Sequence, residues 1–369
     1  MTTDNHRPTR PASTPRQKRA ALGALLGVAV LVASLGTITA TDSSNQLASG
    51  ESVPLRSALY NGDVHEVLLP GATLTLQVGR PIDEISASAV DTSQTLGPSE
   101  LDSDDVVHAD DGSELVPVTW KLRRSGLAAS DAPIDDEPID LRLVAGDQTV
   151  ALAHGTVVTL QSPDGGGHPP SSVVSVTGGA DLVIEVEMDG ATQTLDIASG
   201  ELDTGRASGL YEETAAIDTG CEQRGSCELA PTNAASPWRP RNGRAQVTTS
   251  SMSRSAYDAE LGWAPEGRLW AVVYARASSV TEVVDRDGGF RTTESAGPLA
   301  ATLDGAAPKR TSGFDAGSDT WASEGWTVFS VDATKPPSKL ELTRAIRIDG
   351  DDTPQDVELA TSLTLDGDG

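Results

Sequence analysis

The stretch LVIEVEMDGATQTLDI, residues 182–197, decides how the rest of the chain is read. Leu182, Ile184, Val186 and Met188 fall on every second position, the period of a strand with one buried face. Asp189-Gly190 follows, a pair that tolerates the positive φ of a two-residue hairpin turn. A second strand then returns. The pattern predicts an antiparallel hairpin with Asp189 and Gly190 at its tip. The same period appears elsewhere: Leu74, Leu76 and Val78 in TLTLQV; Val116, Val118, Trp120 and Leu122 in VPVTWKL; Ile139, Leu141 and Leu143 in IDLRL. After residue 41 no stretch sustains the 3.6-residue apolar stripe of a helix. The body is expected to be all-β.

The second half repeats the order of events in the first. GSELVPVTWKL (112–122) and GRLWAVVYA (267–275) each place a Gly and a polar residue before an apolar run. A strand precedes each, Leu74–Val78 or Ala245–Met252. Behind each come an IDLRL-like or PLAATL-like strand and a late hairpin, which in the second half reads WTVFSVDA, a KPPS turn and KLELTRAIRI. Two tandem β-sandwiches are expected, over residues 55–203 and 245–366. Residues 42–54 read as a polar spacer, and 204–244 as a linker.

The 369 residues carry a net charge of −27. The first 19 hold five basic groups and one acid, so the remainder has 22 basic and 53 acidic groups, a net of −31. A body of that sign repels nucleic acid and anionic headgroups. Between tail and body lies AALGALLGVAVLVASLGTITAT, residues 20–41, without a charge. As a helix it would span roughly 33 Å, enough for the hydrocarbon layer. Basic residues on its N-terminal flank put the disordered tail, 1–19, in the cytoplasm and the body outside. The expectation is a single-pass transmembrane anchor. The alternative is a signal peptide cut after Ala40, with Ile38 at the −3 position where a small residue is preferred.

Chemistry is sparse. Cys221 and Cys227 are the only cysteines; outside the cytoplasm an even count predicts a disulfide. His6, His65, His108, His154 and His168 are scattered without ligand spacing, so no metal site is expected. The acid-rich runs 102–114 and 349–356 miss the ligand positions of an EF-hand loop and read as exposed turns. No G-x-S-x-G elbow and no Gly-rich phosphate loop appears, and no cofactor is expected. Trp238 and Trp321, set among Gly, Ser, Pro and charged residues, are the candidate ligand-contact aromatics.

With LWAVVYA flanked by hairpins behind one apolar segment, residues 55–366 resemble the telokin-like, immunoglobulin-fold modules of Gram-positive membrane-anchored envelope proteins. The resemblance implies extracytoplasmic binding or scaffolding, with no catalytic residues to carry over. A non-enzymatic module that meets an envelope protein or glycan is the first expectation. A secreted or anchored envelope-polymer hydrolase is the alternative.

Overall fold

The computed structural model describes residues 39–41, 44–58, 62–91, 104–124, 137–156, 160, 169–212, 216–221, 225–241, 245–314, 322–349 and 354–365. Over these residues the chain is all-β, with short 3-10 segments such as Gly205–Leu210 between strands. The basic tail and residues 20–38 lie outside the described residues. The last three residues of the expected span, Thr39–Thr41, form a strand against Ser44–Leu47 rather than a helix end. Among the described residues, no helix is long and apolar enough to cross a membrane.

The hairpin of residues 182–197 is formed as its sequence dictates. Leu182–Met188 pairs antiparallel with Ala191–Asp196, closing on Met188 opposite Ala191. Asp189 and Gly190 sit at φ 47° and 72°. Ile184, Val186, Met188 and Leu195 are buried, while Glu185 and Glu187 lie on the outer face. There Arg142 of the neighbouring strand Ile139–Ala145 pairs with Glu187 at 3.0 Å.

That hairpin belongs to a five-stranded sheet ordered Gln148–Gly155, Ile139–Ala145, Leu182–Met188, Ala191–Asp196, Leu202–Asp203. A second five-stranded sheet runs Ser52–Pro54, Ser171–Thr177, Ser113–Arg124, Ala72–Gly79, Gly62–Leu69. Their inner faces share one core, with Leu74, Leu76, Val116, Val118 and Trp120 from one sheet and Leu141, Leu143 and Ile184 from the other. Each such aliphatic side chain contributes on the order of 1.5–3 kcal/mol on full burial.

A third layer covers the back of the second sheet. Ser44–Leu47 lies parallel to Val106–Ala109, which pairs with Glu84–Ser86. Leu47, Ile85 and Val107 pack on Leu115 and Val173. Leu115 and Val116 are both fully buried, as are Val173 and Val174, because neighbouring residues of these strands face opposite cores. The stretch read as a spacer, 42–54, therefore contributes two strands, Ser44–Leu47 and Ser52–Pro54. The acidic run 102–114 contains the strand Val106–Ala109.

The second half forms two six-stranded sheets. One runs Cys227–Glu228, Gln246–Thr249, Arg268–Ala277, Ser323–Asp332, Arg310–Ser312 in order, with Ser253–Ser255 beside Arg268–Ala277. The other runs Ala230–Pro231, Gln355–Thr364, Lys339–Ile348, Phe290–Leu303, Glu282–Val284, Arg239–Pro240. The stretch read as a linker thus supplies edge strands to both sheets. The expected hairpin across KPPS does not form: Ser323–Asp332 and Lys339–Ile348 lie in different sheets. A tight hairpin spaces strands about 5 Å apart, whereas facing sheets stand about 10 Å apart. The six residues 333–338, with Pro336 and Pro337, bridge that wider gap.

With this correction three strands of each sheet follow the same order in the two halves. Ala72–Gly79, Ser113–Arg124 and Ser171–Thr177 are consecutive in one sheet, as are Gln246–Thr249, Arg268–Ala277 and Ser323–Asp332 in another. Ile139–Ala145, Leu182–Met188 and Ala191–Asp196 are matched by Phe290–Leu303, Lys339–Ile348 and Gln355–Thr364. The pairing across Asp189-Gly190 corresponds to that of Lys339–Ile348 with Gln355–Thr364, and residues 178–181 correspond to 333–338.

The halves are pinned together. The Trp263 indole nitrogen donates to the Met188 carbonyl at 3.0 Å, beside the Asp189-Gly190 turn. The Tyr211 hydroxyl accepts from the Leu68 amide at 2.8 Å and donates to Gln193 Oε1 at 2.6 Å. Gln193 Nε2 in turn donates to the Leu68 carbonyl at 2.8 Å. Ala191 of the first half and Ala207 of the 204–244 stretch sit in the core of the second. That core also buries a cation. Arg344, 1% exposed, donates through Nε to the Gly297 carbonyl at 2.9 Å and through Nη1 to the Ser278 carbonyl at 2.8 Å. Gly297 lies where Phe290–Leu303 slips register against Lys339–Ile348.

Candidate functional site

Cys221 and Cys227 are joined as a disulfide, with Cα atoms 5.4 Å apart. Cys221 is fully buried, and Cys227 opens the edge strand Cys227–Glu228, so the bond anchors that edge on the core. Trp238 is half-buried against the same core, and its indole nitrogen donates to Gln355 Oε1 at 2.9 Å. One edge of this candidate contact aromatic is thus occupied within the chain. Trp321 lies outside the described residues, as do His6 and His168. Near Trp238 the exposed aromatic is Phe290, 55% accessible, with the Arg241 guanidinium 4.4 Å above its ring. Arg241 is also held by Glu282 at 2.6 Å.

His65, His108 and His154 stand apart. His154 faces Asp140 on the outer sheet surface. Among the described residues no group of three or more His, Cys, Asp or Glu side chains is placed to hold a metal ion.

A concavity lies where the second half changes sheets. Phe290–Leu303 ends in the turn Asp304-Gly305, at φ 50° and 78°, and Leu303 and Ala306 bond each other across it. Opposite, Ser323–Asp332 runs into the connection 333–338. The Asp304 carboxylate ties the two loops together. It accepts from Ser338 N at 3.1 Å, Ser338 Oγ at 2.8 Å and Lys339 N at 2.9 Å. Between the loops opens a cleft of about 540 Å³. Leu303, Phe329 and Val331 form its apolar floor, and Arg268, Lys309 and Lys335 its cationic rim.

The electrostatics of the cleft follow from who already holds whom. Arg268 donates to Ser330, through Nε to the hydroxyl at 3.2 Å and through Nη2 to the carbonyl. The Thr334 hydroxyl and amide, both donating to Asp332, hold its carboxyl below the usual range, with Arg268 adding to the effect. Asp332 is therefore an ionised acceptor, the wrong state for a general acid at neutral pH. Lys339 is paired with Glu341. Among the described residues, Lys309 and Lys335 form no ion pair.

Sequence reasoning passed over this site because its residues come from three separate segments, and KPPS reads as an ordinary turn. One signal was present. Of five lysines in the chain, Lys309, Lys335 and Lys339 fall within 31 residues. No protein-family model matches the sequence, and no curated protein matches it.

Proposed function

We propose that this chain is a membrane-tethered, extracytoplasmic binding or scaffolding module of the cell envelope, non-enzymatic, built from two tandem immunoglobulin-like sandwiches. The observation that carries the reading is the pinned junction. Trp263 on Met188 ties the halves directly, and the Tyr211–Gln193–Leu68 network fastens the stretch between them to the first, which opposes a hinge. Two units joined without a hinge present their loops at a set spacing, which is what a scaffold requires. The recurring strand order supports the tandem reading. The basic tail and the uncharged segment 20–41 support the tether.

The test is capture from envelope extract with the full chain as bait. A specific protein or polymer, released by rising salt, is the expected result; empty captures across ionic strength overturn the binding reading. N-terminal sequencing of the mature protein tests the tether. An intact Met1 or Thr2 start supports the anchor, and a start near Thr41 replaces it with a cleaved signal peptide.

A further inference from the structure

The first half has a structural counterpart of the cleft end, and there it is closed. Ile139–Ala145 and Ser171–Thr177 end at positions matching Leu303 and Asp332. Gln148 spans that end: its Oε1 accepts from the Thr177 amide at 3.1 Å and the Thr177 hydroxyl at 3.2 Å, and its Nε2 donates to Ser49 Oγ at 2.9 Å. Ser49 comes from the segment that builds the third layer. An open, lysine-rimmed cleft is therefore not what this strand order produces by default.

We propose that the cleft bounded by 304–309 and 332–338 binds a single carboxylate carried on an aliphatic body, as at the C-terminus of a peptide ending in a small apolar residue. The apolar floor of Leu303, Phe329 and Val331 takes the aliphatic carbons. Lys309 and Lys335 take the carboxylate, with Arg268 held at the rim by Ser330. A volume of about 540 Å³ suits a chain end or small molecule. The charge of the whole chain selects against the other anionic class. Beyond the rim the body is acidic, so an extended polyanion meets repulsion over the Debye length of about 8 Å at physiological salt, whereas one carboxylate confined to the rim does not. Asp304 and Asp332 line the same cleft, but Asp304 is tied to Ser338 and Lys339 across the two loops and Asp332 to Thr334 of its own loop.

The proposal rests on the binding reading above and adds the ligand class. The test is calorimetric titration of the full chain in neutral detergent. The probes are N-acetylated tripeptides ending in Ala or Val, the same peptides as C-terminal amides, isovalerate and polyphosphate. A charge-assisted contact exceeds its neutral counterpart enough to favour acid over amide by about tenfold or more. Binding should weaken with salt, and in Lys309→Gln/Lys335→Gln the acid should fall to the level of the amide. Both lysines are exposed, so this variant keeps its fold, which circular dichroism verifies. A peptide acid that outbinds isovalerate points to a chain end; equal binding points to free small acids of the same chemistry. Equal affinity for acid and amide, no acid binding at millimolar concentration, or polyphosphate binding that survives the double substitution overturns the proposal. If the double variant still captures its envelope partner, the cleft assignment fails while the binding reading stands.

Discussion

The two halves share a strand order and finish it differently. The first is completed by addition: a third layer buries the back of one sheet, and Gln148 closes the loop end by joining Thr177 to Ser49. The second keeps an open cleft at the matching end and carries a buried cation in its core. Where the first half closes with polar bridges, the second leaves lysines uncommitted. Strand order fixes neither outcome; the loops and the added layer do.

Substitutions on each side can break or sharpen this contrast. The largest effect is expected in the second half. Arg344→Ala leaves the Gly297 and Ser278 carbonyls without their donor, at roughly 1–3 kcal/mol each, plus a cavity. A loss of about 4 kcal/mol in denaturant unfolding is expected. A loss under about 1 kcal/mol would mean that water replaces the guanidinium and the core is not dry.

In the first half, Leu115→Ala and Leu74→Ala empty opposite faces of the same sheet. Each is expected to cost about 3 kcal/mol. Equal losses would establish the third layer as core; a small loss at Leu115 alone would reduce it to a loose cover. Replacing both Cys221 and Cys227 with Ser opens the loop between cysteines six positions apart and should cost about 2 kcal/mol by the loop-entropy relation, read as a lowered unfolding midpoint. Gln148→Ala should cost about 1 kcal/mol and speed hydrogen exchange at the Thr177 amide. If exchange is unchanged, the first half is closed by something other than Gln148.

The smallest effect is at high pH. Burial holds the Tyr211 phenol above its usual value, and burial together with Glu324 does the same for Tyr274. The folded chain keeps these protons more tightly than the unfolded chain. The stabilisation is therefore complete below pH 10 and is lost as pH rises through the raised values. Tyr211→Phe should flatten this alkaline fall in the unfolding midpoint and also loosen the junction at Leu68.

Legibility in the sequence followed burial geometry. The strands of the 182–197 hairpin each have one buried face, so alternation gave their type, their facing and the Asp189-Gly190 turn. Ser171–Thr177 is buried on both faces, reads as the unpatterned run SSVVSVT, and gave no hint of a third layer. Ser44–Leu47 is four residues long and polar, and it became a strand through pairing with Thr39–Thr41 and, in parallel, with residues 62 positions later. KPPS was legible as a turn but not as a change of sheet, since the local sequence does not say which strand pairs with which. The cleft inherits that blindness: its floor and rim meet only when residues 268, 303–309 and 329–337 are brought together.

The edge strands drawn from 227–240 have a consequence for the order in which the chain can fold. Ala230–Pro231 pairs with Leu359 and Ala360, and Trp238 with Gln355, across more than 115 residues. Contacts so distant along the chain are slow to form. The first half can complete its sheets during synthesis by residue 203, apart from its share of the junction. The segment 227–240 emerges long before its partner strand exists. For that interval Ala230–Pro231 waits for its partner, while Cys227–Glu228 can already pair with Gln246–Thr249 and Arg239–Pro240 with Glu282–Val284. The pairing of Ala230–Pro231 with Gln355–Thr364 is thus among the contacts of the second half expected to form late.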